Sequence, residues 1–440
     1  VIVARAITRT SVLQDIDLAG VLDQAAVGHL VAGAAVCLLE GDTSTTATTG
    51  VLDLRDNVPI TDQTLFPLGS VTKTLTAVIV CQLVAEGRIG LDEPVVRHLP
   101  ELAALGESSE AISARMLLSH TAGIADAWEW FPSFAALLDA SRRAGPVGDP
   151  GELFSYSNTG YVVLGQLVER LTGTSWEAAV RSRVLTAVGT ASATFTPPQP
   201  LPGTAATGHV SNGAGHLVAG DLWPPTGRLF GPAGATMYAT AADTASLVLA
   251  CATGRVRGGA ELLPAELHQE MLTEQIALPG LPLHFRGWSL GWGVPAHGSP
   301  HAVQHIGGTS ALVHADPDRG LVLAVLTNFP EGWAFGRNVV RAVLGLPEDP
   351  PPVSHADVDP TRYTGQYQSP AFGIDVHSVE GQLRVTNPLG GADVDLHHQR
   401  GDAFWADFGD LVTEVTFFDV NDGKAQRMHA ALRMLQRADD

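Results

Sequence analysis

The chain has 440 residues, a net charge of −20, 45% apolar residues and only 16% charged ones. That length calls for more than one domain, and the apolar fraction is ample for a large buried core. The acidic balance argues against nucleic acid and anionic membranes as partners, since both repel a negative surface, and leaves neutral or cationic small molecules.

Val1 to Thr10 holds arginines but no continuous apolar run or small-residue cleavage site. No signal peptide is therefore expected, and a cytoplasmic location is. Asp17 to His29 predicts an amphipathic helix, followed by strands over Ala34–Glu40 and Thr48–Leu54 joined through Gly41, Asp42 and Thr43. The apolar stretch Val27–Leu39 is broken by His29 and Gly33 and is too short to span a bilayer. A long helix is expected from Ser70 to Glu86, with Val71, Leu75, Val78, Ile79 and Leu83 at helical spacing. Helical runs and Gly/Pro-rich loops then alternate until a second group of strands, Trp288–Val294, Ala302–Ile306, Ala311–Ala315 and Leu321–Thr327.

Strands, then helices, then strands again imply an α/β catalytic domain over residues 1–345. Its antiparallel sheet is assembled from both ends of the segment and flanked by helices, with a helical subdomain between. Three consecutive prolines, Pro350–Pro352, mark a linker over 346–356. Beyond it, 357–440 reads as a small all-β domain. Its alternating runs are Gly373–Val379, Gln382–Thr386, Val394–His398, Glu414–Val420 and Arg427–Leu435, separated by turn residues. Cys37, Cys81 and Cys251 lie in apolar runs and are expected to be buried free thiols. No Cys-x-x-Cys pair suggests zinc, and no metal or other cofactor is expected.

Three short patterns carry chemistry. Ser70-Val71-Thr72-Lys73 puts a hydroxyl and an amine one helical turn apart at a helix start. There the backbone favours negative charge on oxygen, and an amine of depressed pKa can take the serine proton. Alone, the pattern fits an N-cap serine and a surface lysine equally well. The chain has only two lysines, however, Lys73 and Lys424. An arginine could not serve as base at this place, because it does not deprotonate.

Tyr156-Ser157-Asn158 is the second pattern. A phenol beside a cationic amine is expected to have a lowered pKa and to relay protons. Asn158 offers an amide N–H to a substrate carbonyl and an oxygen to Lys73. The third is His305-Ile306-Gly307-Gly308-Thr309, leaving a strand. Paired glycines admit close backbone approach. An N–H from Gly307–Thr309, with that of Ser70, would form an oxyanion hole. His305 adds a titratable donor.

Together, S-x-x-K, Y-x-N and H-x-G resemble the penicillin-recognising serine enzymes, most closely the class C β-lactamase-like branch. Leu117–Gly123, Pro232–Ala235 and Tyr238–Asp243 resemble further segments of that family, and the likeness runs over about residues 15–345. It implies acylation of Ser70, proton relay by Lys73 and Tyr156, and binding of the acyl amide by Asn158. Where class C β-lactamases have lysine in the third motif, this chain has His305, which suits esterases, peptidases and transacylases better than a true β-lactamase. With its lipocalin-like trailing domain, the chain looks most like penicillin-binding-protein-type thioesterases that release and cyclise nonribosomal peptides. That likeness implies a small-molecule or peptide acyl donor, free or bound to a carrier protein, and an amine or water acceptor; esterase or D-amino-acid amidase/peptidase activity is the near alternative.

Other features compete for attention. Gly287-Trp288-Ser289-Leu290-Gly291 matches G-x-S-x-G but lacks the following helix that motif needs, so Ser289 is expected to be structural. His297, His301 and His305 are spaced four apart, yet Gly298, Ser299 and Pro300 break any helix that would align them. Trp128 is a candidate cleft residue, as is Trp130 in the same loop. Arg433 and Arg437 either reach back to a substrate carboxylate or are solvated ends.

Overall fold

The computed structural model describes residues 16–438 except 28, 128, 196–203, 213–215, 221–226, 280–284, 309, 330–331, 347–357, 371, 387–392 and 408–411. Most of the expected linker, Trp128, Thr309 and Val1–Thr10 thus lie outside the described residues. Helix α1 (Leu18–Ala26) is capped by Asp17, whose carboxylate accepts from Gly20 N. Strands β1 (Gly33–Glu40) and β2 (Thr43–Gly50) follow, with only Gly41 and Asp42 between them. The second strand begins five residues earlier than expected. Its threonines at 43, 45, 46, 48 and 49 are β-branched and suit a half-exposed edge strand despite their polarity.

Helix α2 (Thr72–Ala85), preceded by a 3-10 turn over Gly69–Val71, runs through the middle of the molecule. All but Gln82, Val84 and Ala85 of it are buried, including Lys73. Helices α3 (Asn158–Thr172) and α4 (Ala241–Thr253) pack near it. Strands β3 (Ile276–Ala277), β4 (Phe285–Trp288), β5 (Gly293–Pro295), β6 (Val303–Gly307), β7 (Ala311–Asp316) and β8 (Leu321–Thr327) complete one antiparallel sheet of order β2-β1-β8-β7-β6-β5-β4-β3. The first strand pairs with the last, Val36 opposite Val325. The expected single strand Trp288–Val294 is instead a hairpin bent at Ser289–Gly291, with Gly291 at φ +88°. Its alternating aromatics mimic one continuous strand.

Successive residues of β1 point to opposite faces, and both faces are covered. Ala34, Val36 and Leu38 pack with α1 and with helix α5 (Gly332–Leu344) through Leu22, Phe335 and Val339. Ala35, Cys37 and Leu39 pack toward α2 and the helical middle through Leu75, Val78 and Leu249. This is why the strand reads as an unbroken apolar run. The three cysteines are buried and free. Among the described residues, no helix is long and apolar enough to cross a membrane.

The C-terminal part is a closed barrel of eight antiparallel strands. They are β9 (Gly365–Gln368), β10 (Gly373–Val379), β11 (Gln382–Val385), β12 (Val394–Arg400), β13 (Ala403–Asp407), β14 (Val412–Asn421), β15 (Lys424–Ala430) and β16 (Arg433–Arg437). Tyr367 opposite Arg437 closes the ring. The run Arg427–Leu435, expected as one strand, is a hairpin turning at Ala431 and Leu432, with φ of +47° and +66°. Two-residue hairpin turns of this hand normally show Asn or Gly. Neither is present, so the turn carries no sequence signal.

That turn docks the barrel onto the first domain. Tyr156 N donates to Leu432 O (2.8 Å) and Met434 N to Ser155 Oγ (3.1 Å). Leu432 joins a buried cluster with Phe154, Tyr156, Phe285 and Trp288. Arg427 pairs with Glu152 at 2.9 Å.

Candidate active site

Ser70 sits in the 3-10 turn leading into α2, and Lys73 lies in the first turn of that helix. The turn is held by crowded glycines. A Cβ at Gly69 (φ +52°) would fall 2.6 Å from Gly307 O, one at Gly307 would fall 2.1 Å from Leu68 O, and one at Gly234 would fall 2.2 Å from Gly69 O. The end of β6 therefore lies directly against the serine turn, as the paired glycines suggested, and Gly308 follows in a left-handed conformation (φ +59°). Replacing Gly307 by Ala must push these backbones apart. We expect Gly307→Ala to slow labelling of Ser70 by a fluorophosphonate about 100-fold, with unchanged far-UV circular dichroism; an unaltered rate would show that this contact does not shape the site.

The Lys73 amine lies 2.8 Å from Ser70 Oγ, 2.8 Å from Asn158 Oδ1 and 2.6 Å from Ala233 O. Complete burial pushes its pKa well below the ordinary lysine value; Asp126 opposes that shift and Arg433 adds to it. A neutral amine has two N–H groups and one lone pair. Asn158 Oδ1 and Ala233 O only accept, so in the neutral form they would take both N–H groups and leave the lone pair for the Ser70 hydroxyl.

Asn158 stands at the start of α3, capped by Ser157, whose Oγ accepts from Gly160 N. Its Nδ2 donates to Asp126 Oδ2 (3.0 Å), so one of its two N–H groups is spent inside the protein rather than on substrate. The same carboxylate accepts from Asn158 N (2.7 Å) and Thr159 N (3.2 Å). Two guanidinium nitrogens of Arg433, Nε and Nη2, donate to Asp126 Oδ2 at 3.0 and 2.9 Å.

The Tyr156 hydroxyl lies close enough to the Ser70 side chain for the two to influence each other's ionisation. Its ring lies 4.9 Å from Lys73 Nζ and 5.2 Å from the Arg433 guanidinium. The expected lowering of its pKa is corrected. Burial raises it well above the ordinary tyrosine value, and Ser70 and Arg433 offset only part of that. Neither Ser70 nor Arg433 stabilises a phenolate enough to overcome desolvation, so the phenol stays protonated.

His305 also differs from expectation. Burial and the nearby Lys73 lower its pKa to about 3, so it is neutral rather than a titrating donor. Nδ1–H donates to Ile306 O (3.0 Å), which leaves Nε2 as an acceptor. Its ring meets Trp288 edge-on at 5.5 Å.

Ser289 is buried and its Oγ donates to Trp292 O within the hairpin bend, a structural role. His301 pairs with Asp318, away from His305. Trp130 is exposed, and nothing is described for Trp128. Neither terminal arginine is a solvated end: Arg433 is held by Asp126, while Arg437 donates to Tyr367 Oη (2.8 Å) and Thr364 O (2.8 Å) in the barrel.

Ala233 O, Asp126 and His120 are site groups the motifs did not single out for a role. His120 is buried at φ +59°, accepts from Ser157 N at Nδ1 (3.1 Å) and lies against the Tyr156 ring at 4.2 Å. Ala233 acts through its main chain, for which no residue type is diagnostic. Asp126 lies three residues beyond the family-like segment Leu117–Gly123, but its partners are more than 30 and 300 positions away.

The β-lactamase family model matches residues 19–344. Penicillin-binding protein 4 of Amycolatopsis lactamdurans is 32% identical over 363 residues, covering 77% of this chain and 94% of that protein. Esterase EstB of Burkholderia gladioli is 32% identical over 207 residues, 42% of this chain and 52% of the esterase. Among solved structures, SurE superposes with a TM-score of 0.75 at 27% identity, over 96% of this chain and 98% of SurE.

Proposed function

This chain belongs to the β-lactamase family of serine hydrolases, and on that premise we propose that it forms an acyl-enzyme on Ser70 and passes the acyl group to an amine or water. The observation that carries this reading is the fully buried Lys73 amine, 2.8 Å from Ser70 Oγ, where desolvation lowers its pKa well below the ordinary lysine value and so favours a form able to take the serine proton. As the hydroxyl oxygen bonds to the donor carbonyl, its proton moves to Lys73. Backbone N–H groups of Ser70 and the Gly307–Gly308 segment receive the developing oxyanion. The carbonyl re-forms as the bond to the leaving group breaks, and Tyr156 supplies the departing atom with a proton that Lys73 replaces. Attack by an amine or water on the acyl-enzyme reverses these transfers.

The donor we favour is a peptidyl thioester or ester, free or borne on a carrier protein, and the favoured acceptor is an amine, as in a peptide-cyclising thioesterase. Three observations support this. The likeness to SurE spans both the sheet domain and the barrel. SurE has been solved with D-Leu. His305 presents a neutral acceptor where a lysine would present a cation to the carboxylate of a β-lactam. The likeness to esterase EstB favours a second reading, simple hydrolysis.

Product analysis separates the two. The protein is incubated with a peptidyl thioester carrying a D-residue at its acyl end, with and without added amines. Cyclic or amide products formed faster than free acid are expected. Free acid alone, at every amine concentration, would make the protein a hydrolase.

A further inference from the structure

We propose that Arg433 and Asp126 are positioning residues of the serine site, a cation delivered by the barrel and a buried carboxylate that together orient Asn158 and balance the charge facing Lys73. This rests on the Ser70–Lys73 chemistry proposed above.

The geometry is a continuous chain. The hairpin turn at Ala431–Leu432 is pinned on both sides of Arg433 by main-chain hydrogen bonds, Tyr156 N to Leu432 O at 2.8 Å and Met434 N to Ser155 Oγ at 3.1 Å. Arg433 is thereby delivered to Asp126, whose Oδ2 it meets through both Nε and Nη2. Asp126 is 4% exposed, so its charge would be costly without that partner. The carboxylate in turn receives Asn158 Nδ2, which can only donate. That fixes the amide flip and turns Asn158 Oδ1 toward Lys73 Nζ, 2.8 Å away. Three residues from two domains, Arg433, Asp126 and Asn158, thus determine where the Lys73 amine finds its acceptor.

The same pair dominates the field at the amine. Lys73 is faced by the phenols of Tyr156 and Tyr161 at 4.9 and 5.4 Å and, within electrostatic reach, by His120 and His305. Burial keeps both phenols protonated and both imidazoles neutral. Among the described residues, the charges acting on Lys73 are therefore Asp126 and Arg433. Removing Arg433 leaves the carboxylate uncompensated and favours the ammonium form of Lys73. Removing the Asp126 charge leaves the guanidinium uncompensated and disfavours that form. The two substitutions must act in opposite directions.

The test measures the second-order rate of Ser70 labelling by a fluorophosphonate against pH, on the full chain. Its acidic limb reports protonation of the free enzyme's base. Arg433→Met should move that limb to higher pH by about one unit, Asp126→Asn should move it to lower pH, and Arg433→Lys should return it most of the way. Limbs that stay in place in folded Arg433→Met and Asp126→Asn proteins, with rates lowered equally at all pH, would reduce the pair to interdomain glue and overturn the proposal. If Arg433→Met does not fold, the shift in Asp126→Asn decides by its sign. A wild-type protein unlabelled at Ser70 would instead remove the serine chemistry itself, an outcome distinct from labelling with unmoved limbs.

Discussion

Lys73→Ala is expected to lower the rate of Ser70 acylation by about 100- to 10,000-fold, the range associated with a lost general base. The reason is geometric. Lys73 Nζ is the basic nitrogen placed 2.8 Å from Ser70 Oγ, and its burial disfavours the ammonium form that a surface lysine would hold. The substitution also leaves Asn158 Oδ1 and Ala233 O without the N–H groups they now receive, so a lower melting temperature should accompany the loss. Lys73→Arg separates these effects. A guanidinium retains donors for the two oxygens but cannot take a proton, so it should be nearly as inactive as the alanine variant. Stopped-flow acylation with a chromogenic ester provides the rates, and wild-type turnover in either variant would assign the base elsewhere.

The second large effect is expected at Tyr156. Because burial raises its pKa, the hydroxyl is a proton donor throughout the accessible pH range, and its task falls at the leaving group. Tyr156→Phe keeps the ring packed between His120 at 4.2 Å and Trp288 at 5.7 Å. Only the hydroxyl is lost. Turnover of amide donors, whose leaving amine needs a proton, should fall by about 100-fold. A p-nitrophenyl ester, whose leaving group departs unprotonated, should lose far less. Parallel kcat/KM measurements on the two donors check this. Equal losses would mean that the phenol acts earlier, on the serine proton.

What the sequence revealed and concealed follows from the range of the interactions involved. Ser70 and Lys73 belong to one helical turn, so spacing alone places them together, and the scarcity of lysine marks the second of them. The sheet was legible because β1 and β8 are apolar on both faces and bounded by turns. The barrel was legible through its Gly and Asn turns, while the Ala431–Leu432 turn, which has neither, was missed. That same turn brings Arg433 into the site, so the link between the domains was hidden along with it. Asp126 was invisible for a related reason: its partners, Asn158 and Arg433, are distant in the chain. The state of Tyr156 is not legible from a neighbouring lysine alone, because the sequence does not show how deeply the phenol is buried. Complete burial disfavours the charge on Lys73, and burial of the phenol itself outweighs what Ser70 and Arg433 do to lower its pKa. For His305 the residue type was plain, but not the burial that holds it neutral.

One experiment bears on the covalent step without reference to substrate. The protein is treated with a fluorophosphonate or a β-lactam, and intact mass and peptide mapping follow on wild type and Ser70→Ala. A single adduct carried by the peptide containing Ser70, absent from the alanine variant, is the expected result. A protein that stays unmodified, or an adduct that persists when Ser70 is gone, would contradict the acyl-enzyme at the centre of this account.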